Sequence, residues 1–240
     1  MLVGAMKRSL DELASELTIL YQDSDVVVVN KPSGLLVHRG WAQDEKVTMT
    51  VVRDLIGQYV WVAHRLDRAT SGALVFALNK DAARNMATAF EERRVEKTYV
   101  ALVRGVAPDE GIIDSQVPKV PKGERVDAET HFRRLWVFEN RYSLVEAQPK
   151  TGRLHQIRRH LRHITHPLIG DVNYGVGEHN RLFRKRFGLH RLALHALVLQ
   201  FPHPSKDEEV TVKAPLTEDF LGPLTRMGLP APLIQTLSES

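Results

Sequence analysis

The run from Tyr59 to Leu78 constrains this chain more than any other part of it. Tyr59–Ala63 is β-branched and aromatic, and Ala73–Leu78 is an unbroken apolar stretch of buried-strand length. Between these two predicted strands lies His64-Arg65-Leu66-Asp67-Arg68-Ala69-Thr70-Ser71-Gly72, a single carboxylate with arginines close by in sequence. Opposite charges nearby favour the ionised form, so Asp67 is expected to be a carboxylate at physiological pH. An ionised carboxylate in a cationic setting can act as a nucleophile. The same residues suit a salt-bridged turn, because Asp, Thr, Ser and Gly are ordinary turn formers. Local chemistry alone leans toward the turn and leaves both readings open.

Reading outward from this stretch, Lys7–Leu17 carries Leu10, Leu13, Ala14 and Leu17 at helical spacing behind a Ser9/Glu12 capping box. Residues 1–17 are therefore predicted to be a short helical extension. Ile19–Tyr21 and Val26–Val29 read as strands around a Gln-Asp-Ser-Asp turn, and Lys31-Pro32-Ser33-Gly34 then breaks the chain. Val47–Ile56 is an amphipathic helix closed by Gly57, and Lys80–Arg93 is a second helix with a charged, solvated face. Lys97–Gly105 alternates as a strand. Residues 117–127 hold Pro, Lys, Arg and Gly without period and read as a mobile basic loop. Thr130–Phe138 and Tyr142–Ala147 pair as a hairpin turned at Glu139-Asn140-Arg141. Leu192–Phe201 and Asp207–Ala214 are the last strands, and the chain beyond Leu229 is expected to fray.

Pro149–His166 is the second informative stretch. Leu154, Ile157, Leu161 and Ile164 form a helical core stripe that Pro167 ends. Arg158 falls at the edge of that stripe, where its stem can pack on the core while its head reaches a cleft. Arg159 and His163 face away. With Arg153, Arg162, His155, His160 and His166 also present and no acid among them, the segment is basic. Arg181–Arg191 is a second acid-free basic patch. The formal net charge of +4 is too small to identify a partner, but its distribution in patches favours a polyanion. Cysteine is absent, which removes disulfides, Cys-ligated zinc and thiol catalysis together. No apolar run reaches membrane-spanning length and no signal peptide is evident, so the cytoplasm is the default.

His64–Gly72 resembles the HRLDxxTSG signature of the RluA-type pseudouridine synthases. Asn30–His38 is similar to that family's NKPSGLLVH block, Lys97–Gly105 to KxYxAxVxG, and Thr151–His160 to TGRxHQIRxH. Gly170–Gly175 matches GDxxYG, and the strand Leu192 to Phe201 resembles LxLHAxxLxFxHP. The blocks follow in family order from about Thr18 to Pro215, and on them the chain is identified as a member. The resemblance implies an α/β (α+β) pseudouridine synthase fold, with a long, mainly antiparallel mixed sheet, flanking helices and a central RNA-binding cleft. It places the catalytic domain over residues 18–228 and a tail over 229–240. The short N-terminal extension leaves no room for an S4-type RNA-binding domain.

Implied with the fold is the isomerisation of a flipped-out uridine in RNA. Asp67 would be the nucleophile, Arg158 its partner, Tyr99 the residue packing on the base, and Arg65 the side chain filling the vacated space. His64, Arg68, Arg153, His155, Arg159, Arg162 and Lys31 are expected to contact RNA. No metal is expected, and because the reaction has no redox change, no cofactor. Val37–Trp41, Pro149–Arg153 with Arg158–Leu161, and Phe187–Leu192 look closest to the subgroup that modifies uridine 65 of tRNA. Ribosomal RNA stays open as the alternative substrate. The chain is expected to act as a monomer, without a membrane or nucleotide cofactor; Gly175 and Gly177 lack the context of a phosphate-binding loop.

Two other classes can be set against this reading. A metal hydrolase could draw on His155, His160, His163 and His166, but no H-E-x-x-H or comparable carboxylate ligand accompanies them. A non-catalytic RNA-binding module would explain the basic patches and leave a carboxylate among them unexplained, since it repels phosphate.

Overall fold

The computed structural model describes residues 9–39, 46–120 and 123–239. Ser9 caps α1 (Leu10–Ser15) through the reciprocal Ser9–Glu12 box. β1 (Thr18–Gln22) and β2 (Val26–Lys31) form a hairpin, and the Asp23 carboxylate in its turn accepts the N–H groups of Asp25 and Val26. α2 (Thr48–Ile56) ends on Gly57 at φ 70°, where glycine carries no Cβ penalty. β3 (Trp61–Val62), β4 (Ser71–Ala77), α3 (Lys80–Glu91), β5 (Glu96–Arg104) and β6 (Glu110–Ile113) follow. β7 (Val117–Pro118) and β8 (Arg125–Val126) make a small separate hairpin. β9 (Thr130–Phe138) and β10 (Tyr142–Pro149) are joined by a turn in which Glu139 and Asn140 both have positive φ, the twist that tight hairpins favour. α4 (Gln156–His163), α5 (Gly177–Phe187), β11 (Leu194–Pro202), β12 (Glu209–Lys213), α6 (Glu218–Arg226) and α7 (Ala231–Ser238) complete the order.

Ten strands form one sheet along the path β1-β2-β4-β11-β5-β10-β9-β6, with β3 beside β4 and β12 beside β11. The pairings are antiparallel except β4 with β11. This is the mixed, mainly antiparallel sheet with flanking helices that the motifs imply. Period-two alternation sorts its two faces. On β5, Tyr99, Ala101 and Val103 face a core shared with Ile157 and Leu161 of α4. Val100 and Leu102 face the opposite core, built from Phe183 and Phe187 of α5, Phe220 and Leu224 of α6 and Leu237 of α7.

Three sequence expectations change. The segment expected to fray is α7, held because Leu237 is buried and its carbonyl accepts the Leu216 N–H. Residues 117–127 contain the β7–β8 hairpin, anchored among its described residues by one buried side chain, Val117, too little signal for a periodicity to show. Its residues 121 and 122 lie outside the described residues. α4 begins at Gln156, two residues after the predicted stripe starts at Leu154, since His155 takes a left-handed backbone.

Candidate active site

Asp67 sits on the loop between β3 and β4, just before the buried β4, and this loop is tied down from behind. Thr70 N–H donates to the Asp67 carbonyl, Gly34 N–H to that of Arg68, and Ser33 Oγ to that of Ala69. Lys31 is wholly buried, and its Nζ donates to the carbonyls of Pro32, Leu35 and Arg68. Burial, with Arg191 nearby, pushes its pKa well below that of an ordinary lysine. The expectation that Lys31 contacts RNA is therefore corrected: it is a brace beneath the Asp67 loop. After the loop, Ser71 Oγ lies 2.7 Å from His195 Nδ1 and accepts from Arg191 Nη2 at 2.6 Å. Gly72 is at φ 112°, and a Cβ there would lie 2.1 Å from the Ala196 carbonyl oxygen, so a glycine is needed for β4 to approach β11 this closely.

α4 and the segment after it deliver the partner. Arg158 Nη1 donates to Asp67 Oδ2 at 2.8 Å. Its Nε and Nη2 are taken by Asp171, at 2.7 Å to Oδ2 and 2.9 Å to Oδ1. Thus the two-pronged pair is with Asp171, and Asp67 receives one N–H of the same guanidinium. Asp171 is itself fixed, its Oδ1 accepting the N–H groups of Asn173 and Tyr174. Burial works against its charge, but Arg158 and these N–H donors outweigh it and hold the carboxyl below the usual range. Burial likewise opposes the Arg158 charge, and Asp171 and Asp67 more than offset it, raising its pKa. Asp171 was not singled out in the sequence; the signal was an acid in a Gly-Asp turn next to an acid-free basic helix.

A cleft of about 1400 Å³ opens over Asp67, lined also by Arg65, Arg68, Tyr99, Arg153 and His155. Leu66 is buried while Arg65 is exposed, so Arg65 and Asp67 both line the cleft across it. Tyr99 is 9% exposed on the cleft floor. Burial, then the Asp67 charge, raises its pKa and keeps the phenol protonated. Lys97, two residues earlier on β5, also lines the cleft, and burial with the Lys150 charge lowers its pKa. His155 Nε2 lies 3.7 Å from Asp67 Oδ2.

The remaining expected RNA contacts divide. Arg68 is exposed in the cleft; Arg153 lies there too and donates to the Asp127 carbonyl. His64 lines the cleft but is no cation: burial, then Lys97, lowers its pKa to about 3. Its Nε2 accepts the Val75 N–H and its ring stacks on Phe90 at 4.7 Å, so it serves as a wall. Arg159 is turned inward, donating to Tyr174 Oη and to the carbonyls of Pro118 and Leu154. Arg162 is exposed on α4 and is not part of the cleft lining. The helical histidines do not converge: His160 bonds Thr130 and Ser115, and His166 the Arg104 carbonyl. Among the described residues, the group spaced to hold a metal is Asp23, Asp25 and His203, in the β1–β2 turn region.

Residues 25–163 match the family model described as RNA pseudouridylate synthase. The chain belongs to this family. A relative from Vibrio parahaemolyticus named tRNA pseudouridine synthase C is 43% identical over 88% of this chain and 95% of its own. A protein of the same name from Salmonella typhimurium is 42% identical over 88% and 90%. Among solved structures, human RNA pseudouridylate synthase domain containing 4 superposes with a TM-score of 0.73 at 30% identity, covering 91% of this chain and 95% of that one. The pseudouridylate synthases are isomerases, and the carboxylate, arginine and tyrosine of this cleft lie in the blocks whose resemblance to the family was noted from sequence. Gly40 and Trp41, part of the subgroup resemblance, lie outside the described residues. Among the described residues no helix is long and apolar enough to cross a membrane.

Proposed function

We infer that this enzyme isomerises a uridine of tRNA to pseudouridine, with uridine 65 as the target and Asp67 as the nucleophile. The observation that carries the reading is the Asp67–Arg158 pair at the floor of a basic cleft. The names of the relatives support tRNA over ribosomal RNA. The reaction breaks the C1′–N1 bond, rotates the base, joins C1′ to C5, and moves the C5 proton to solvent while N1 gains one. Atoms and electrons balance without a co-reactant. A carboxylate that acts on the sugar while the base turns divides the barrier. Tyr99 receives the extruded base, and Arg65 fills the stack it leaves. The enzyme is proposed to act as a monomer, in the cytoplasm with its tRNA.

The test is a tRNA transcript incubated with purified protein and mapped for pseudouridine by chemical modification and primer extension. Wild type should modify position 65. Asp67→Asn and Asp67→Ala should bind the transcript and leave it unmodified. Modification confined to ribosomal RNA would overturn the substrate, and turnover by Asp67→Asn would overturn the nucleophile.

A further inference from the structure

Tyr174 is a second contribution of the segment after α4, and the function above makes no use of it. Its Oη lies 3.0 Å from Arg159 Nε and 3.0 Å from His155 Nδ1, its two partners among the described residues. A guanidinium only donates, so Oη accepts from Arg159. The phenol's own proton then has one acceptor in reach, Nδ1 of His155. An imidazole that accepts at Nδ1 carries its proton on Nε2. Nε2 faces Oδ2 of Asp67, the oxygen already held by Arg158. The other tautomer would leave the phenol proton without an acceptor and turn a nitrogen lone pair toward a carboxylate.

The backbone is committed to this placement. His155 has φ 53° and ψ 28°, a left-handed conformation that costs a non-glycine residue about 1 kcal/mol or more. Gln156 holds it there, accepting the Arg153 N–H and donating to the Glu129 carbonyl and Thr130 Oγ1. Burial, together with Arg158 and Arg159, lowers the His155 pKa against the pull of Asp67, which keeps the ring neutral. Among the described residues no hydrogen bond reaches Asp67 Oδ1.

We propose that Arg159, Tyr174 and His155 form a relay that fixes the Nε2–H tautomer of His155 and points that N–H at Oδ2 of Asp67, so that Oδ2 is the tethered oxygen and Oδ1 the attacking one. This rests on Asp67 being the nucleophile. At 3.7 Å the N–H is a dipole facing the carboxylate, longer than a hydrogen bond. His155 is thus a positioning residue that acts through Asp67, and Tyr174 acts through His155.

Tyr174→Phe is the discriminating variant, because it keeps the ring that Arg158 and Arg159 cover at 5.1 and 5.6 Å and removes only the hydroxyl. The tautomer is read by long-range nitrogen–proton NMR on full-length protein labelled at histidine, without RNA, with His155→Gln assigning the signal among the 11 histidines. Wild type should show Nδ1 unprotonated and Nε2 protonated, and Tyr174→Phe should show a mixture. On tRNA, Tyr174→Phe should lower kcat about tenfold with RNA affinity changed less than about twofold, and the same change should have almost no effect in a His155→Gln background. A wild-type Nδ1–H signal, or effects of the two substitutions that multiply, overturns the relay. If Tyr174→Phe fails to fold, the wild-type spectrum still decides. A wild type that shows Nε2–H but leaves tRNA unmodified supports the tautomer and overturns the proposed function; an active enzyme with Nδ1–H does the reverse.

Discussion

Arg158 spends its guanidinium on two carboxylates at once, 2.8 Å from Asp67 and in a two-pronged pair with Asp171. A lysine ammonium is a compact charge without that fork and cannot satisfy both acids in these directions. Arg158→Lys should therefore lower kcat about a hundredfold while RNA binding is retained, measured by single-turnover kinetics beside a filter-binding assay. Asp171→Asn removes the charge that faces Arg158 in the interior and should lower stability by about 3 kcal/mol in urea unfolding. A rate unchanged in Arg158→Lys would remove this arginine from the mechanism. The proposed function gives two further side chains, Tyr99 and Arg65, to the base and its former place. Tyr99→Ala should lose about 1–3 kcal/mol of base stacking, read as a matching fall in kcat/KM. Arg65 is exposed at the cleft, where it can enter RNA or merely add to the positive field. A field contribution would weaken binding to all RNA and lower the salt slope by about one. As a filler it should matter most where the target uridine is well stacked. Arg65→Ala should lose much more activity on folded tRNA than on an RNA with that uridine unpaired, and equal losses would reduce Arg65 to the field.

At the scale of elements, the site depends on how closely β4 approaches β11. The parallel contact is short, His195 with Ser71 and Ala196 with Gly72, and it sets where the Asp67 loop leaves the sheet. The hydrogen bond between Ser71 and His195, and those that Arg191 donates to Ser71 and to Asp219 at the start of α6, extend this anchor to the far face. A methyl at Gly72 would meet backbone, which cannot swing aside as a side-chain end can. Gly72→Ala should cost at least about 2 kcal/mol, and the splayed strands should lower turnover further than stability alone explains. Thermal unfolding and kcat on the same preparation check both halves; a variant with wild-type Tm would mean that the strands can part freely here.

Across the whole molecule, interior histidines set the response to acid. His195 is fully buried, and burial lowers its pKa from 6.5 to about 3 although the Ala214 carbonyl resists. His64, partly open to the cleft, shifts the same way, and solvent screening makes its contribution smaller. The unfolded chain takes up a proton near pH 6.5 that the folded chain refuses until about 3, so stability is full above that window and falls as pH drops through it. For His195 the slope is roughly 1.4 kcal/mol per pH unit, about 2 kcal/mol between pH 6.5 and 5. Carboxylates held below their usual range, such as Asp171, add their loss only below about pH 4. The urea midpoint should therefore fall between pH 7 and 5, above the range where carboxylates such as Asp171 add their loss. A flat midpoint over that range would contradict neutral burial.

What sequence alone determined was the first four helices, most strands of the large sheet and the order of the blocks. The Ser9 box, the Gly57 stop and the Glu139–Asn140 turn are local, decided within four or five residues by capping and backbone sterics. The Asp67–Arg158 pairing spans 91 residues, and it was legible only because both lie in motif blocks with a known partner. Tertiary structure decided which charges are buried. Lys31 looks like any basic residue beside a turn until the Asp67 loop closes over it. Arg158 sits at the edge of a helical stripe, but its second acid comes from a segment whose path no periodicity encodes. His155 reads as the first turn of a helix, and its left-handed backbone is held by a glutamine bonded across to β9. Periodicity assigns a residue to a face; only packed neighbours settle whether that face is dry, and dryness is what makes Lys31 a brace and holds Arg158 between two acids.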